Sequence, residues 1–116
     1  MQVLTSTSDL EEFCSALKGA PFITVDTEFM RERTYWSRLC LVQVASPTTE
    51  AIIDPLSEGM DLAPLLEILS DQSIVKVFHA ARQDIEIFYT LMKEVPAPLF
   101  DTQIAAMACG YGDQIG

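Results

Sequence analysis

The sequence predicts an α/β fold in which helices cover a mixed sheet. In the second half of the chain, apolar strand-like runs alternate with amphipathic helical segments, which is typical of β-α-β units. In the first half, short connections join three strands and favour an antiparallel meander. At 116 residues and 49% hydrophobic, the chain can bury one core, so we expect a single domain.

Apolar runs bounded by turn residues define the strands of this sheet. The five predicted strands are residues 22–28, 39–45, 50–54, 74–78 and 99–100. A further short edge strand is compatible with residues 2–5. Helices are expected after caps at Ser8, Asp61 and Asp101 and over residues 80–93. With the fourth strand beside the first, the sheet order is 3-2-1-4-5, and the crevice where this order reverses is where such folds bind ligands.

Asp26 and Glu28 flank Thr27 at the end of the first apolar strand. Side chains two apart on a strand point the same way, so both carboxylates are expected on one face. Like charges held together cost free energy unless they share a proton or a cation. Position alone leaves two interpretations: a polar strand end that enters a loop, or part of a metal site.

Asp84 follows the fourth strand, at the inward edge of a predicted helix. An inward carboxylate needs a partner, either a backbone N–H of its own helix start or a cation. With Asp26 and Glu28 it would supply three oxygen ligands of the kind that Mg²⁺ and Mn²⁺ prefer. His79 is a poor Mg²⁺ ligand, and the alternatives for it are a hydrogen bond to substrate and a packed core histidine.

The charge balance bears on the choice of partner. Seven basic and seventeen acidic residues give a formal net charge of −10, the wrong sign for a free-standing nucleic-acid binder. A metal-dependent nuclease partly escapes this objection, because its ions neutralise carboxylates and contact the phosphate. No membrane span and no secretory signal are visible, so we expect a cytoplasmic protein that does not bind membranes; the oligomeric state stays open.

Three segments resemble ribonuclease D. Phe22-Ile-Thr-Val-Asp-Thr-Glu-Phe-Met-Arg-Glu-Arg-Thr-Tyr-Trp36, followed by Leu39-Cys-Leu-Val-Gln-Val-Ala45, is similar to the first exonuclease motif and its surroundings. Val77-Phe-His-Ala-Ala-Arg-Gln-Asp-Ile-Glu-Ile-Phe88 is similar to the second motif, and Pro98-Leu-Phe-Asp-Thr-Gln-Ile-Ala-Ala106 to the stretch after it. The similarity keeps the order and spacing of the motifs along nearly the whole chain.

This resemblance implies a ribonuclease H-like fold and a 3′-5′ exoribonuclease of the DEDD group that uses two divalent ions, Mg²⁺ or Mn²⁺. It also implies that Asp26 bridges both ions, Glu28 binds the ion that activates water, and Asp84 binds the other. Members trim the 3′ ends of structured RNA such as tRNA precursors and release nucleoside 5′-monophosphates. Single-stranded DNA is an alternative polymer.

The third motif of the family is missing from this sequence. That motif is a Tyr followed four residues later by the fourth metal-binding Asp, whereas here Tyr35 is followed by Leu39, Tyr89 by Lys93 and Tyr111 by Ile115. We therefore interpret residues 1–116 as a single, C-terminally incomplete exonuclease domain, without the third motif and the family's C-terminal helical domains. We expect little or no nuclease activity from this chain by itself.

Arg31, Tyr35 and Trp36 place a cation and aromatic rings just after Glu28. Such a segment can contact phosphates and stack on a terminal base, or its rings can pack on the domain as part of a solvated loop. With His79 these are the candidate substrate-binding residues. Two other classes remain: a non-catalytic ribonuclease H-like interaction module, and a Mg²⁺-binding phospho-receiver domain, which the antiparallel meander disfavours.

Overall fold

The structure, a computed structural model, describes residues 1–31, 37–79 and 81–110. These residues form six strands and four helices. In chain order they are β1 (Gln2–Leu4), α1 (Thr7–Leu17), β2 (Phe22–Arg31), β3 (Ser37–Ala45), β4 (Glu50–Ile53), α2 (Ala63–Ser70), β5 (Val75–Phe78), α3 (Arg82–Met92), β6 (Leu99–Asp101) and α4 (Thr102–Ala108). The described strands form one mixed sheet in the order β1-β4-β3-β2-β5-β6.

The sheet combines the two pairings expected from the sequence. The strands β2, β3 and β4 form an antiparallel meander, and β5 and β6 continue the sheet in parallel on the other side of β2. The predicted order of these five strands is confirmed. The predicted count of five is wrong, because Gln2–Leu4 pairs in parallel with β4 as a sixth, edge strand. Three residues carry too little hydrophobic pattern to define a strand without that partner.

The two central strands are longer than predicted. Strand β2 runs to Arg31 rather than ending at Glu28, through a bulge between Glu28 and Phe29. Its parallel ladder with β5 ends at the pair Thr24 and Val77, whereas its antiparallel ladder with β3 continues to Arg31. Asp26 and Glu28 are therefore not at the end of a strand. They lie where one of the two neighbours of β2 has left the sheet.

The helices and the sheet enclose a single core on one face of the sheet. Along β2, alternate side chains divide into a buried set, Ile23, Val25 and Thr27, and an exposed set, Phe22, Thr24, Asp26 and Glu28. The core cluster joins the buried set of the strands with apolar residues from three helices, including Leu10, Phe13 and Leu17 of α1, Leu65 and Leu69 of α2, and Phe88 of α3. None of the described helices is long and apolar enough to cross a membrane.

The first turns of α1 and α2 are each bonded by a nearby polar side chain. Helix α1 begins two residues earlier than predicted, because Ser6 rather than Ser8 accepts the backbone N–H of Asp9, at 3.2 Å. The predicted cap Asp61 lies one residue before the N-cap of α2, which is Leu62, and its carboxylate accepts the N–H of Ala63, the first helical residue, at 2.9 Å. Helix α1 ends before Gly19, whose φ of 84° lies in the left-handed region that favours glycine.

Candidate active site

Asp26 and Glu28 project from the exposed face of β2, as the strand alternation predicted. Across the antiparallel ladder, Asp26 is opposite Gln43 and Glu28 is opposite Leu41, both on the same exposed face. The two carboxylates thus have a polar and an apolar neighbour on β3, respectively. On the other side of β2, the loss of β5 leaves the crevice into which Asp26 faces.

Asp84 lies in the first turn of α3 and is 8% exposed. Its Oδ1 accepts a hydrogen bond from the hydroxyl of Thr27, which is itself buried on the inner face of β2. Asp84 thus has a partner outside its own helix, whose N-cap residue, Ala81, makes no side-chain hydrogen bond. The partner is the residue between Asp26 and Glu28, on the opposite face of the same strand.

The electrostatic surroundings of Asp84 oppose its ionisation. Burial is the main cause that raises the pKa of this carboxyl, and the negative charges of Asp26 and Asp101 raise it further. The hydrogen bond from Thr27 acts in the opposite direction, because it stabilises the charged form. Both neighbouring negative charges thus favour the protonated form of Asp84.

Asp101 connects the starts of two helices. One carboxylate oxygen accepts the N–H of Ala81, the residue before α3, at 2.7 Å. The other accepts the N–H of Gln103 in α4 at 2.9 Å, which confirms the predicted cap. The bond to Ala81 was not predicted, because it depends on how β6 lies beside β5. It fixes the beginning of the helix that carries Asp84.

His79 follows β5 and is exposed, so the alternative of a packed core histidine is wrong. Its Nδ1 lies 2.8 Å from the hydroxyl oxygen of Thr102, which also donates to the carbonyl of Phe78 at 3.2 Å. A cavity of about 410 Å³ opens between β2 and β5 and is lined by Thr24, Val25, Asp26, Val77, Phe78, His79 and Thr102. His79 and Asp26 thus border the same cavity.

The three predicted ligands, Asp26, Glu28 and Asp84, suit a divalent ion in their chemistry more than in their spacing. Their chemistry fits a hard cation, since all three are carboxylates and one is buried beside like charges. Their spacing is less complete: across residues 1–31, 37–79 and 81–110, no three His, Cys, Asp or Glu side chains are grouped closely enough to hold a metal. The structure brings Asp26 and Asp84 near each other and does not close a three-ligand cage. The metal-binding roles of Asp26, Glu28 and Asp84 stay predictions.

The predicted substrate-binding residues are only partly among the described residues. Tyr35, Trp36 and the side chain of Arg31 lie outside the described residues. A larger hollow of about 540 Å³ lies at the helices, between the end of α1, α2 and the end of α3, and none of the predicted site residues lines it. The crevice beside Asp26 is therefore the better candidate site, because it combines a cavity with the predicted acids.

A family model described as a 3′-5′ exonuclease matches residues 1–116. The chain belongs to the 3′-5′ exonuclease family. A ribonuclease D from Jannaschia sp. is 56% identical over 117 residues, which cover 97% of this chain and 30% of that protein. The predicted resemblance to ribonuclease D is thereby confirmed. The present chain spans about 30% of the length of the curated relatives it matches.

Solved structures of family members share the fold. The structure of Escherichia coli RNase D, described as an exoribonuclease involved in structured RNA processing, has a TM-score of 0.92 and 43% identity and covers 99% of this chain and 30% of that chain. Trypanosoma brucei RNase D in complex with RNA U12 has a TM-score of 0.77 and 26% identity and covers 89% of this chain and 37% of that chain. These matches confirm the predicted α/β, ribonuclease H-like fold class.

Proposed function

We propose that this chain supplies acidic metal ligands to a 3′-5′ exoribonuclease, which shortens RNA from its 3′ end. The observation that carries the proposal is that one stretch of β2 places Asp26 at the crevice beside β5 and also binds Asp84, through the hydroxyl of Thr27. Structured RNA such as tRNA precursors is the proposed substrate class. The descriptions of the E. coli and T. brucei relatives support RNA as the polymer.

Asp26, Glu28 and Asp84 would be the carboxylates that hold divalent ions, Mg²⁺ or Mn²⁺. When bound, such ions activate a water molecule and stabilise the charge that develops on the phosphate. The chain itself contributes the position of the carboxylates, two from one strand and one from the following helix. The chain has a net charge of −10 and therefore repels the RNA backbone. Divalent cations bound to the carboxylates, rather than basic residues, would offset this repulsion.

The proposed reaction is hydrolysis of the terminal phosphodiester. A bond forms between a water oxygen and phosphorus, and the bond from phosphorus to the 3′ oxygen of the preceding nucleotide breaks. That oxygen takes up a proton, so the products are a nucleoside 5′-monophosphate and an RNA one nucleotide shorter. We place the terminal nucleotide in the cavity bordered by Asp26, His79 and Thr102, whose polar groups can hydrogen-bond to a ribose.

Metal titration of the 116-residue chain tests the acidic site. Mn²⁺ affinity, measured by calorimetry, should fall at least about tenfold in Asp26→Asn and in Glu28→Gln, because each removes a charged oxygen ligand. Glu50→Gln is the matched control, since Glu50 is exposed on the same sheet but lies on β4. Equal Mn²⁺ affinity in all four proteins would instead support a non-catalytic interaction module.

The chain should have little or no nuclease activity by itself, because its sequence contains no Tyr-x-x-x-Asp. The measurement is digestion of a 3′-labelled tRNA precursor with Mg²⁺ or Mn²⁺, with a single-stranded DNA of equal length tested in parallel. Stepwise shortening of the RNA by the purified chain, abolished in Asp26→Asn, would contradict this expectation.

A further inference from the structure

Thr27 is the middle residue of the segment that carries two of the proposed metal ligands, and it faces away from both. Asp26 and Glu28 are exposed, whereas Thr27 is 8% exposed and belongs to the inner face of β2. A threonine at such a position can contribute its methyl group to the core and its hydroxyl to a buried acceptor. The acceptor here is Oδ1 of Asp84, 57 residues further along the chain.

The hydrogen bond joins two buried groups from different elements, so both depend on it. A buried hydroxyl or carboxylate without a partner costs free energy, and Thr27 and Asp84 satisfy each other. The hydrogen-bond partner of the carboxylate thus lies on β2, and the N-cap residue of α3, Ala81, makes no side-chain cap bond. Strand β2 therefore determines where the carboxylate of Asp84 lies.

The bond uses one of the two carboxylate oxygens. Among the residues that the structure describes, Thr27 donates to Oδ1, and no described group donates to Oδ2. One oxygen is thus fixed to the protein, while the second remains for another ligand. A carboxylate whose outer contacts fix its orientation is the arrangement expected around metal ligands, where such partners strengthen binding.

We propose that Thr27 is a positioning residue, whose hydroxyl holds the Asp84 carboxylate in the place from which it binds a divalent ion. This inference rests on the proposed function, since it assigns Asp84 to the metal. It also gives a role to each side chain of the segment Asp26-Thr27-Glu28. Asp26 and Glu28 would bind ions on the exposed face of β2, and Thr27 would orient Asp84 from the buried face. The hydroxyl, rather than the volume of the side chain, is the required feature.

Thr27→Val tests this role because valine keeps the shape and removes the donor. We expect Mn²⁺ affinity of the chain to fall about tenfold in Thr27→Val and to stay within about twofold of the original in Thr27→Ser, which keeps the hydroxyl. Urea unfolding of each variant is measured alongside. Thr90→Val is the matched control, since the hydroxyl of Thr90 in α3 donates to the carbonyl of Glu86 and is exposed.

A second pair keeps the test decisive if Thr27→Val does not fold. Thr27→Ser and Thr27→Ala both lose the methyl group, so they differ only in the hydroxyl, and Mn²⁺ affinity should be lower in the alanine variant. Equal affinity in this pair, with weaker binding in Asp84→Asn, would overturn the inference and leave the proposed function intact. Unchanged affinity in Asp84→Asn and Asp26→Asn would instead overturn the proposed metal site itself.

Discussion

The carboxylate of Asp101 accepts the backbone N–H of Ala81 at 2.7 Å, and this bond ties the last described strand to the start of α3. The same carboxylate caps α4 through Gln103. Two helix starts that lie in different parts of the sequence are thus held by one side chain. The helix that carries Asp84 begins at a point set by β6 as well as by β5.

Asp101→Asn should destabilise the protein by about 1–2 kcal/mol, because the amide nitrogen cannot accept the hydrogen bond that one carboxylate oxygen now accepts. The measurement is the free energy of unfolding in urea. Asp61→Asn is the comparison, since Asp61 accepts the N–H of Ala63 and is exposed. A loss in Asp101→Asn no larger than that in Asp61→Asn would show that the second bond contributes nothing measurable.

Phe88→Ala should destabilise the protein by about 3–5 kcal/mol, as expected for truncation of a large buried ring. Phe88 is fully buried and packs against Phe78 of β5, with the ring centroids 6.4 Å apart. The adjacent Tyr89 is 53% exposed, so Tyr89→Ala is a matched control with an expected loss below about 1 kcal/mol. Thermal and urea unfolding of the two variants check the difference.

Lys76→Met should cost about 1–2 kcal/mol of stability, because it leaves two partly buried carbonyl groups without their donor. Lys76 is fully buried in β5, and its Nζ donates to the carbonyls of Asp71 and Ala97. Burial also lowers the pKa of its ammonium group. Lys18→Met, at an exposed position, should change the free energy of unfolding by less than about 0.5 kcal/mol. A Lys76→Met protein as stable as the original would show that methionine packing offsets the lost bonds.

Stability should fall as pH rises above 9, in part because of Cys14. Burial is the main cause that raises the pKa of this thiol from 9.0 to about 12, so above pH 9 the unfolded chain loses its proton before the folded one. The stabilising contribution is complete below pH 9.0 and is lost progressively up to about pH 12. At pH 10 the loss amounts to about 1.4 kcal/mol.

Urea unfolding at pH 8 and pH 10 measures this effect. Cys14→Ala should show a smaller decrease in unfolding free energy between the two pH values than the original protein. Cys109→Ser is the control, because Cys109 is exposed and should leave the decrease unchanged. An equal decrease in the Cys14 variant would assign the pH dependence to other groups.

The sequence alone predicted the features of the site that depend on the alternation of a strand or the periodicity of a helix. Alternation along β2 placed Asp26 and Glu28 on one face, and the inward edge of α3 placed Asp84 toward the sheet. Thr27, the residue between them, is buried on the core face, and no role was predicted for it. Its bond to Asp84 could have been anticipated from one signal, namely that two polar residues face one core from neighbouring elements and need partners.

Contacts between distant loops were not accessible from the sequence. The bond from Asp101 to Ala81 and the bonds from Lys76 to Asp71 and Ala97 depend on the relative placement of segments, which no local pattern encodes. The extension of β2 to Arg31 has the same origin, because the antiparallel partner β3 continues the ladder beyond the apolar run. The edge strand β1 likewise exists through its pairing with β4.

The two faces of β2 imply two different rules of substitution along one strand. At Ile23 and Val25, volume and shape set which replacements are tolerated, whereas at Asp26 and Glu28 the sign of the charge does. In a library that contains every substitution in this strand, the kind of replacement that is tolerated should therefore alternate from one residue to the next. Thr27 is the exception, since it lies on the buried face and its replacement must still donate a hydrogen bond to Asp84.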